Sequence, residues 1–137
     1  MVCIYCKAKT EITNTRHLAR NNTTWRRRHC LKCGALITTT EAADYGRSWV
    51  VSDEHSSRLS PFSRDKLFLS VYDSLKHRKT AVSDAGALTS TIISTLAKTC
   101  PDGQIAKQRL TATVIDCLKR FDKTSSVHYQ AYYANNT

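Results

Sequence analysis

The sequence predicts an α+β fold, in which a small antiparallel sheet at the N-terminus precedes a mainly helical domain that begins with a β-hairpin. Two observations support this prediction. Four of the six cysteines form two Cys-x-x-Cys pairs within the first 33 residues, among short β-prone segments. From residue 63 onward, apolar residues recur at helical spacing instead, with no glycine-rich phosphate loop and no alternation of strands and helices.

The two cysteine pairs have the spacing of metal ligands. A two-residue spacer lets both thiolates of a pair face one ion, and the second pair completes a tetrahedral shell. Free thiols or disulfides are the alternative, but both spacings and the β-prone sequence between the pairs favour zinc. We predict one structural zinc ion per chain, bound by Cys3, Cys6, Cys30 and Cys33. Four thiolates leave no open position for catalysis, and metal binding supplies much of the folding free energy of so small a sheet.

Positive charge is concentrated in the same region. Residues 1–34 carry eight Lys or Arg against one acidic residue, a balance of +7 out of +10 for the chain. Such a concentration indicates a polyanionic partner, most often nucleic acid. The candidate contacts to double-stranded DNA are Arg26, Arg27 and Arg28, with Arg16 and Arg20 as weaker candidates. The alternative interpretation of the arginine run is an ordinary solvated charged face.

Three β-prone segments are expected to form this sheet, and a turn is expected at Asn21-Asn22. The segments are residues 12–15, 23–29 and 36–40. Side chains alternate between the two faces of a strand, so Arg27 is predicted to lie on the face opposite Arg26 and Arg28.

The second domain is predicted to open with a strand at 49–51 and a returning strand at 58–59, before three helices and a fourth helix in the tail. The helices are expected to begin at Ser63, near residue 83 and near Gln104, with the fourth over 125–133. Ser63 is a suitable N-cap, flanked by a hydrophobic staple of Phe62 and Leu67. Lys66, in the first turn of that helix, is a candidate phosphate ligand, although a solvated lysine is the simpler interpretation.

Other features limit the class of protein. No apolar segment follows Met1 as in a signal peptide, and no apolar run reaches the length of a membrane span, so we expect a cytoplasmic protein without a membrane partner. Cys100 and Cys117 lie in helical sequence and are interpreted as buried small apolar residues. No Ser/His/Asp, Cys/His or paired-carboxylate arrangement is present, so we do not expect an enzyme.

In this order, the motifs resemble those of the NrdR family, bacterial repressors of ribonucleotide reductase genes that join a zinc ribbon to an ATP-cone. The matching segments are Cys3-x-x-Cys6, Asn14-Thr15-Arg16, Arg26-Arg27-Arg28-x-Cys30-x-x-Cys33, Ile37-Thr38-Thr39-Thr40-Glu41, Val50-Val51, Pro61-Phe62-x-x-x-Lys66-Leu67, Leu118-Lys119-Arg120-Phe121-Asp122 and Tyr133.

The resemblance implies a DNA-binding zinc ribbon over 1–40, a linker over 41–48, an ATP-cone over 49–133 and a tail over 134–137. ATP or dATP in the cone is expected to set homo-oligomeric assembly, and assembly to set DNA binding. The implied nucleotide-binding residues are Val50, Val51, Arg58 and Lys66.

The sequence also departs from the family pattern. Ser52 stands where the family has a lysine directly after Val-Val, and Trp25 replaces the first of four arginines. The lid from Ser52 to Arg58, expected to cover the phosphates, is longer than usual by two residues and has no glycine. These changes concern nucleotide affinity more than fold, and Arg58 is the expected compensating charge.

Two alternative functions fit the same motifs. One is a zinc-ribbon protein that binds RNA or the ribosome, with the helices as a scaffold. The other is a detached regulatory subunit of an enzyme, in which the ribbon docks onto protein and shows no salt-sensitive binding to DNA.

Overall fold

The computed structural model describes residues 1–53 and 56–134, and the chain divides into two compact units. We call Met1–Ala43 the ribbon unit and Asp44–Thr137 the helical unit. The arrangement confirms the predicted α+β class, with antiparallel strands around four cysteines followed by helices. Among the described residues, no helix combines the length and the apolar character needed to cross a bilayer.

The ribbon unit is a three-stranded antiparallel sheet with the order β1-β2-β3. Its strands are longer than the predicted segments: β1 spans Thr10–Leu18, β2 spans Thr23–Cys30 and β3 spans Leu36–Glu41. A 3₁₀ turn, Ala19–Asn21, joins β1 to β2, and Asn22 follows it with a left-handed φ of 49°. The central position of β2 means that the arginine run has a neighbouring strand on each side.

A minimal core supports this sheet. Its buried hydrophobic side chains are Cys3, Cys30 and Ile37, against which Cys6, Ala8 and Ala35 pack. Two of the three buried residues are the cysteines themselves. Burial of so few apolar groups contributes little to stability, so the sheet depends on the metal site.

The helical unit contains a second three-stranded sheet, with the order β5-β4-β6. The predicted hairpin is present as β4 (Val50–Asp53) and β5 (Arg58–Pro61). The structure also contains β6 (Gln104–Ala106), which pairs parallel to β4. The sequence prediction missed this strand and placed the start of a helix there. A three-residue strand is too short to show a periodicity, and its pairing partner lies about fifty residues away in sequence. Part of the predicted lid, Glu54 and His55, lies outside the described residues.

Within the described residues, the helical unit also contains five helices and a π-helical turn. They are α1 (Tyr45–Ser48), α2 (Arg64–Leu75), α3 (Ala81–Thr99), α4 (Lys107–Phe121), α5 (Lys123–Tyr129) and the π-helical turn Gln130–Ala134. The short helix α1 lies in the segment 41–48 that was predicted as a linker, and Glu41 of that segment ends β3. Ser63 caps α2 as predicted, since its hydroxyl accepts a hydrogen bond from the Lys66 amide at 3.2 Å. The tail residues 135–137 are outside the described part of the chain.

The core of the helical unit is continuous across these elements. Its fully buried residues include Val71 and Leu75 of α2, Ile92 and Leu96 of α3, Ile105 of β6, and Val114 and Leu118 of α4. Both staple residues, Phe62 and Leu67, are also buried in this cluster. Cys100 is buried there as expected, whereas Cys117 is only partly buried and packs against the cluster.

Candidate functional site

The first Cys-x-x-Cys pair lies in a tight turn that we call the first knuckle, residues 3–8. The Cys3 amide donates to the Ala8 carbonyl at 2.8 Å, and the Lys7 amide donates to the Cys3 carbonyl at 3.0 Å. To close this turn Lys7 adopts a left-handed φ of 60°, which is uncommon for a residue with a side chain. These hydrogen bonds fix the positions from which Cys3 and Cys6 present their sulfurs.

The second knuckle, residues 30–35, repeats this geometry. The Cys30 amide donates to the Ala35 carbonyl at 3.0 Å, and the Gly34 amide donates to the Cys30 carbonyl at 3.0 Å. Gly34 has a φ of 73° and occupies the place that Lys7 has in the first knuckle. The sequence gives no indication of this left-handed position at Lys7, because glycine is the residue that ordinarily marks such a position.

The two knuckles bring the four predicted cysteines into one cluster. All four Sγ atoms lie within 4.8 Å of one another, with 3.7 Å between Cys3 and Cys33 and 3.5 Å between Cys6 and Cys30. A tetrahedral zinc ion with Zn–S bonds of about 2.3 Å requires sulfurs roughly 3.8 Å apart. The donor set and its spacing therefore fit a structural zinc ion, which would be held by Cys3, Cys6, Cys30 and Cys33.

Backbone amides prepare part of this cluster for metal binding. The amides of Cys33 and Lys32 lower the pKa of Cys30 to about 6 against the opposing effect of burial. In the first knuckle the Cys6 amide likewise lowers the pKa of Cys3. The Ala8 amide favours the Cys6 thiolate, but the neighbouring Cys30 sulfur and burial outweigh it and raise the pKa of Cys6 to about 12. Four adjacent thiolates repel one another, so full ionisation of the cluster requires a bound cation.

The predicted DNA-binding arginines lie on opposite faces of β2. Arg26 pairs with the carboxylate of Glu41, and the Arg28 Nε donates to the Thr39 hydroxyl at 3.4 Å. Both arginines are partly buried on the face that carries Ile37, which we call the zinc face. Their guanidinium groups are therefore already engaged with strand β3.

Arg27 is placed differently, on what we call the outer face. Its side chain is exposed and makes no hydrogen bond or ion pair with another described residue. The register pairs Arg27 with Asn14 and Trp25 with Arg16, so Arg16 is a diagonal neighbour of Arg27 on the same face. The structure thus brings Arg16 and Arg27 together, whereas it separates Arg27 from Arg26 and Arg28.

In the helical unit, a pocket of about 240 Å³ contains two of the four predicted nucleotide residues. Val51 of β4 and Lys66 of α2 line it, but Val50 and Arg58 are not among the lining residues. Its apolar wall is formed by Val51, Phe62, Leu67, Leu110, Tyr129 and Tyr133.

The polar side of this pocket includes residues that sequence reasoning missed. Lys107, the first residue of α4, lines the pocket together with the hydroxyl-bearing Ser70 and Thr111. The Lys107 ammonium lies 3.4 Å from a carboxylate oxygen of Asp53 at the end of β4. The only signal for Lys107 was its charge, since its position depends on the missed strand β6.

Two tyrosines close the pocket from the C-terminal end of the chain. The rings of Tyr129 and Tyr133 stack with centroids 4.8 Å apart, and the Tyr133 hydroxyl donates to Asp73 at 3.1 Å. Burial raises the pKa of Tyr129 above its ordinary value, although a hydrogen bond with Ser70 opposes the shift. Tyr129 is a buried core residue, whereas Tyr133 is partly buried and also lines the pocket.

Comparison with known proteins agrees with the family resemblance that the sequence motifs indicate. The family model described as "Transcriptional repressor NrdR-like, N-terminal domain" matches residues 1–41. Over 136 residues, or 98% of the chain, the sequence is 30% identical to a protein of Azorhizobium caulinodans, 31% identical to one of Xanthobacter autotrophicus and 30% identical to one of Pelagibacter ubique. The alignments cover 77%, 73% and 87% of these relatives. Each is named "Transcriptional repressor NrdR", and none is named as an enzyme, in agreement with the sequence prediction.

Proposed function

The chain belongs to the NrdR family of transcriptional repressors, as its motifs predicted, and we propose that it represses transcription by binding double-stranded DNA through its ribbon unit. The observation that carries the proposal is the exposed pair Arg16 and Arg27 on the outer face of a sheet held by a four-cysteine metal site. Binding to DNA would place the protein in the cytoplasm. From the family resemblance we propose the genes of ribonucleotide reductase as its targets.

The two pairs of arginines, one on each face of the sheet, have different proposed roles. Arg16 and Arg27 supply direct contacts, since a guanidinium fork pairs with phosphate oxygens or with guanine O6 and N7. Arg26 and Arg28 add positive field, and their bonds to Glu41 and Thr39 hold β2 against β3. Direct contact by all three consecutive arginines, as first expected, would require Arg26 and Arg28 to leave these partners.

Salt-dependent binding to duplex DNA tests this assignment. The double variant Arg16→Ala/Arg27→Ala should weaken binding and reduce the slope of log K against log salt by about 0.9 for each phosphate contact removed. The double variant Lys98→Ala/Lys119→Ala, at exposed lysines of α3 and α4, removes the same number of positive charges and is the matched control. An unchanged slope in the double variant places the DNA surface elsewhere. Stronger competition by RNA than by duplex DNA would favour the RNA-binding alternative, and binding insensitive to salt would favour a protein-docking ribbon.

We further propose that the helical unit binds ATP or dATP in the pocket that contains Val51 and Lys66. An apolar wall beside hydroxyls and lysines suits a base and a polyphosphate, and Lys66 lies in the first turn of a helix, where phosphate is favoured. Nucleotide would control repression by binding competing homo-oligomers unequally, because only differential affinity shifts an equilibrium.

Calorimetry on zinc-loaded protein tests the nucleotide site. ATP and dATP should each bind with measurable heat, and Lys66→Ala should weaken both. Sedimentation with and without nucleotide should show a change of assembly. Absence of heat and of thermal stabilisation at millimolar nucleotide would contradict nucleotide control and leave the DNA-binding proposal intact.

A further inference from the structure

Two lysines on different helices line the 240 Å³ pocket described above. Lys66 lies in the first turn of α2, and Lys107 is the first residue of α4. The parallel pairing of Ser52 with Ala106 sets the carboxyl ends of β4 and β6 side by side, and α4 begins directly after β6. In open α/β sheets, ligands bind outside the carboxyl ends of the parallel strands, and α4 begins at the corresponding place in this sheet.

We propose that Lys107 is a phosphate-binding residue, and that it holds the polyphosphate of a bound nucleotide together with Lys66. This inference rests on the proposed nucleotide function and adds a residue that the motifs did not indicate. It assigns the phosphates to the space between the first turns of α2 and α4. The base then occupies the apolar part of the same pocket.

The start of α4 is suited to an anion. Its N-cap residue, Ala106, has no side-chain oxygen, and the described part of the chain shows no side-chain capping bond at this helix start. At α2, by contrast, the Ser63 hydroxyl already accepts from the Lys66 amide. The first amides of a helix and the positive end of its dipole favour phosphate, and Lys107 adds a full charge at the same place.

The contact between Lys107 and Asp53 does not prevent this role. The two groups are 3.4 Å apart, with 38% of the Lys107 side chain and 31% of the Asp53 side chain exposed. Water screens an ion pair of that kind, so it contributes little binding energy. A polyphosphate carries more negative charge than one carboxylate and can compete for the ammonium.

A purely structural role for Lys107, in which its pair with Asp53 ties α4 to β4, is the competing explanation. Three variants separate the two roles, with ATP and adenosine as probes in calorimetry on the full zinc-loaded chain. Lys107→Ala should lower ATP affinity by roughly tenfold to a hundredfold, the size of one charge-assisted hydrogen bond, and should leave adenosine affinity unchanged. Lys107→Arg should retain most of the ATP affinity. Asp53→Asn, which removes the ion pair and keeps the lysine, should maintain or raise ATP affinity.

The outcomes are distinct. Equal ATP affinity in Lys107→Ala and in the unmodified chain overturns the inference, and so does an equal loss of ATP and adenosine binding. A loss of ATP affinity in Asp53→Asn that matches Lys107→Ala also overturns it, because the ion pair would then be the relevant contact. If the unmodified chain binds no ATP, the proposed nucleotide function itself fails. Lys98→Ala serves as the control for loss of one exposed lysine that does not line the pocket.

Discussion

The two units of the chain are stabilised in different ways. In the ribbon unit three hydrophobic side chains are buried, and two of these are cysteines of the candidate metal site. In the helical unit the buried cluster extends through α2, α3, β6 and α4. A small sheet that displays arginines on both faces has few positions left for a core, so zinc takes the place of packing. The helical unit can rely on burial alone, and it can carry a pocket at its surface.

The strongest test of this difference is loss of the metal. Cys30→Ser should lower zinc content and unfold the ribbon unit, because structural zinc in small domains contributes about 10–16 kcal/mol of apparent binding free energy. The helical unit should keep its dispersed amide signals and its cooperative unfolding. Elemental analysis and heteronuclear NMR measure both effects, with the half-buried Cys117→Ser as the control. Stoichiometric zinc in Cys30→Ser, or unfolding of both units together, would contradict the conclusion that the two units are stabilised in different ways.

A cavity in the helical core should destabilise the helical unit and leave the ribbon unit intact. Leu118 is fully buried, so Leu118→Ala should cost about 2–5 kcal/mol of unfolding free energy. Zinc content should not change, since the ribbon unit has its own source of stability. Denaturant titration measures the loss, and Val127→Ala, at a residue 65% exposed, should stay within about 0.5 kcal/mol of the unmodified chain. A small effect of Leu118→Ala would mean that the helical core is not the main source of stability.

Two glycines with the same φ of 73° sharpen the comparison at the level of single residues. A Cβ on Gly34 would have no atom within 4 Å, so Gly34→Ala should cost only the left-handed strain of about 1–2 kcal/mol. A Cβ on Gly103 would lie 2.7 Å from the Ser48 carbonyl oxygen, so Gly103→Ala should cost more than that strain. Zinc affinity of Gly34→Ala and denaturant unfolding of Gly103→Ala measure the two costs. Equal costs would contradict the close packing around Gly103.

The smallest expected effect concerns the start of α5 and depends on pH. The Asp122 carboxylate accepts hydrogen bonds from the Ser125 hydroxyl at 2.5 Å and the Thr124 amide at 3.1 Å, and it lies 3.0 Å from a ring nitrogen of His77. The Ser125 hydroxyl is the main reason that the pKa of Asp122 is lowered, although burial opposes it. A lowered pKa in the folded state means that this stabilisation is complete above the pKa of an unfolded aspartate, about 3.9, and is lost as pH falls through the folded value.

Asp122→Ala should therefore cost about 1 kcal/mol at neutral pH, and its difference from the unmodified chain should shrink below about pH 4. Unfolding free energies measured across pH check both parts. Asp116→Ala, at an exposed residue of α4, is the control for removal of one carboxylate. A difference that grows on acidification would contradict the assigned direction of the pKa shift.

Local chemistry made several features predictable from the sequence. Cys-x-x-Cys spacing indicated the four cysteines that the structure brings into one cluster, because two residues are the length of chain that lets both sulfurs face one ion. Ser63 identified the start of α2, because capping depends on the next three residues only. The family resemblance was also found from short motifs, and the relatives confirm it over 98% of the chain.

Other features were decided by contacts between distant segments. Strand β6 exists because Ile105 pairs beside Val51, and no pattern within three residues reports a partner about fifty residues away. Alternation separated Arg27 from Arg26, but only pairing with β3 gave Arg26 its partner Glu41, and only pairing with β1 gave Arg27 the neighbour Arg16. Lys107 reaches the pocket for the same reason, because β6 fixes where α4 begins. The sequence by itself thus determined the ligands, the helix start and the family, whereas tertiary pairing decided which charged residues share a surface.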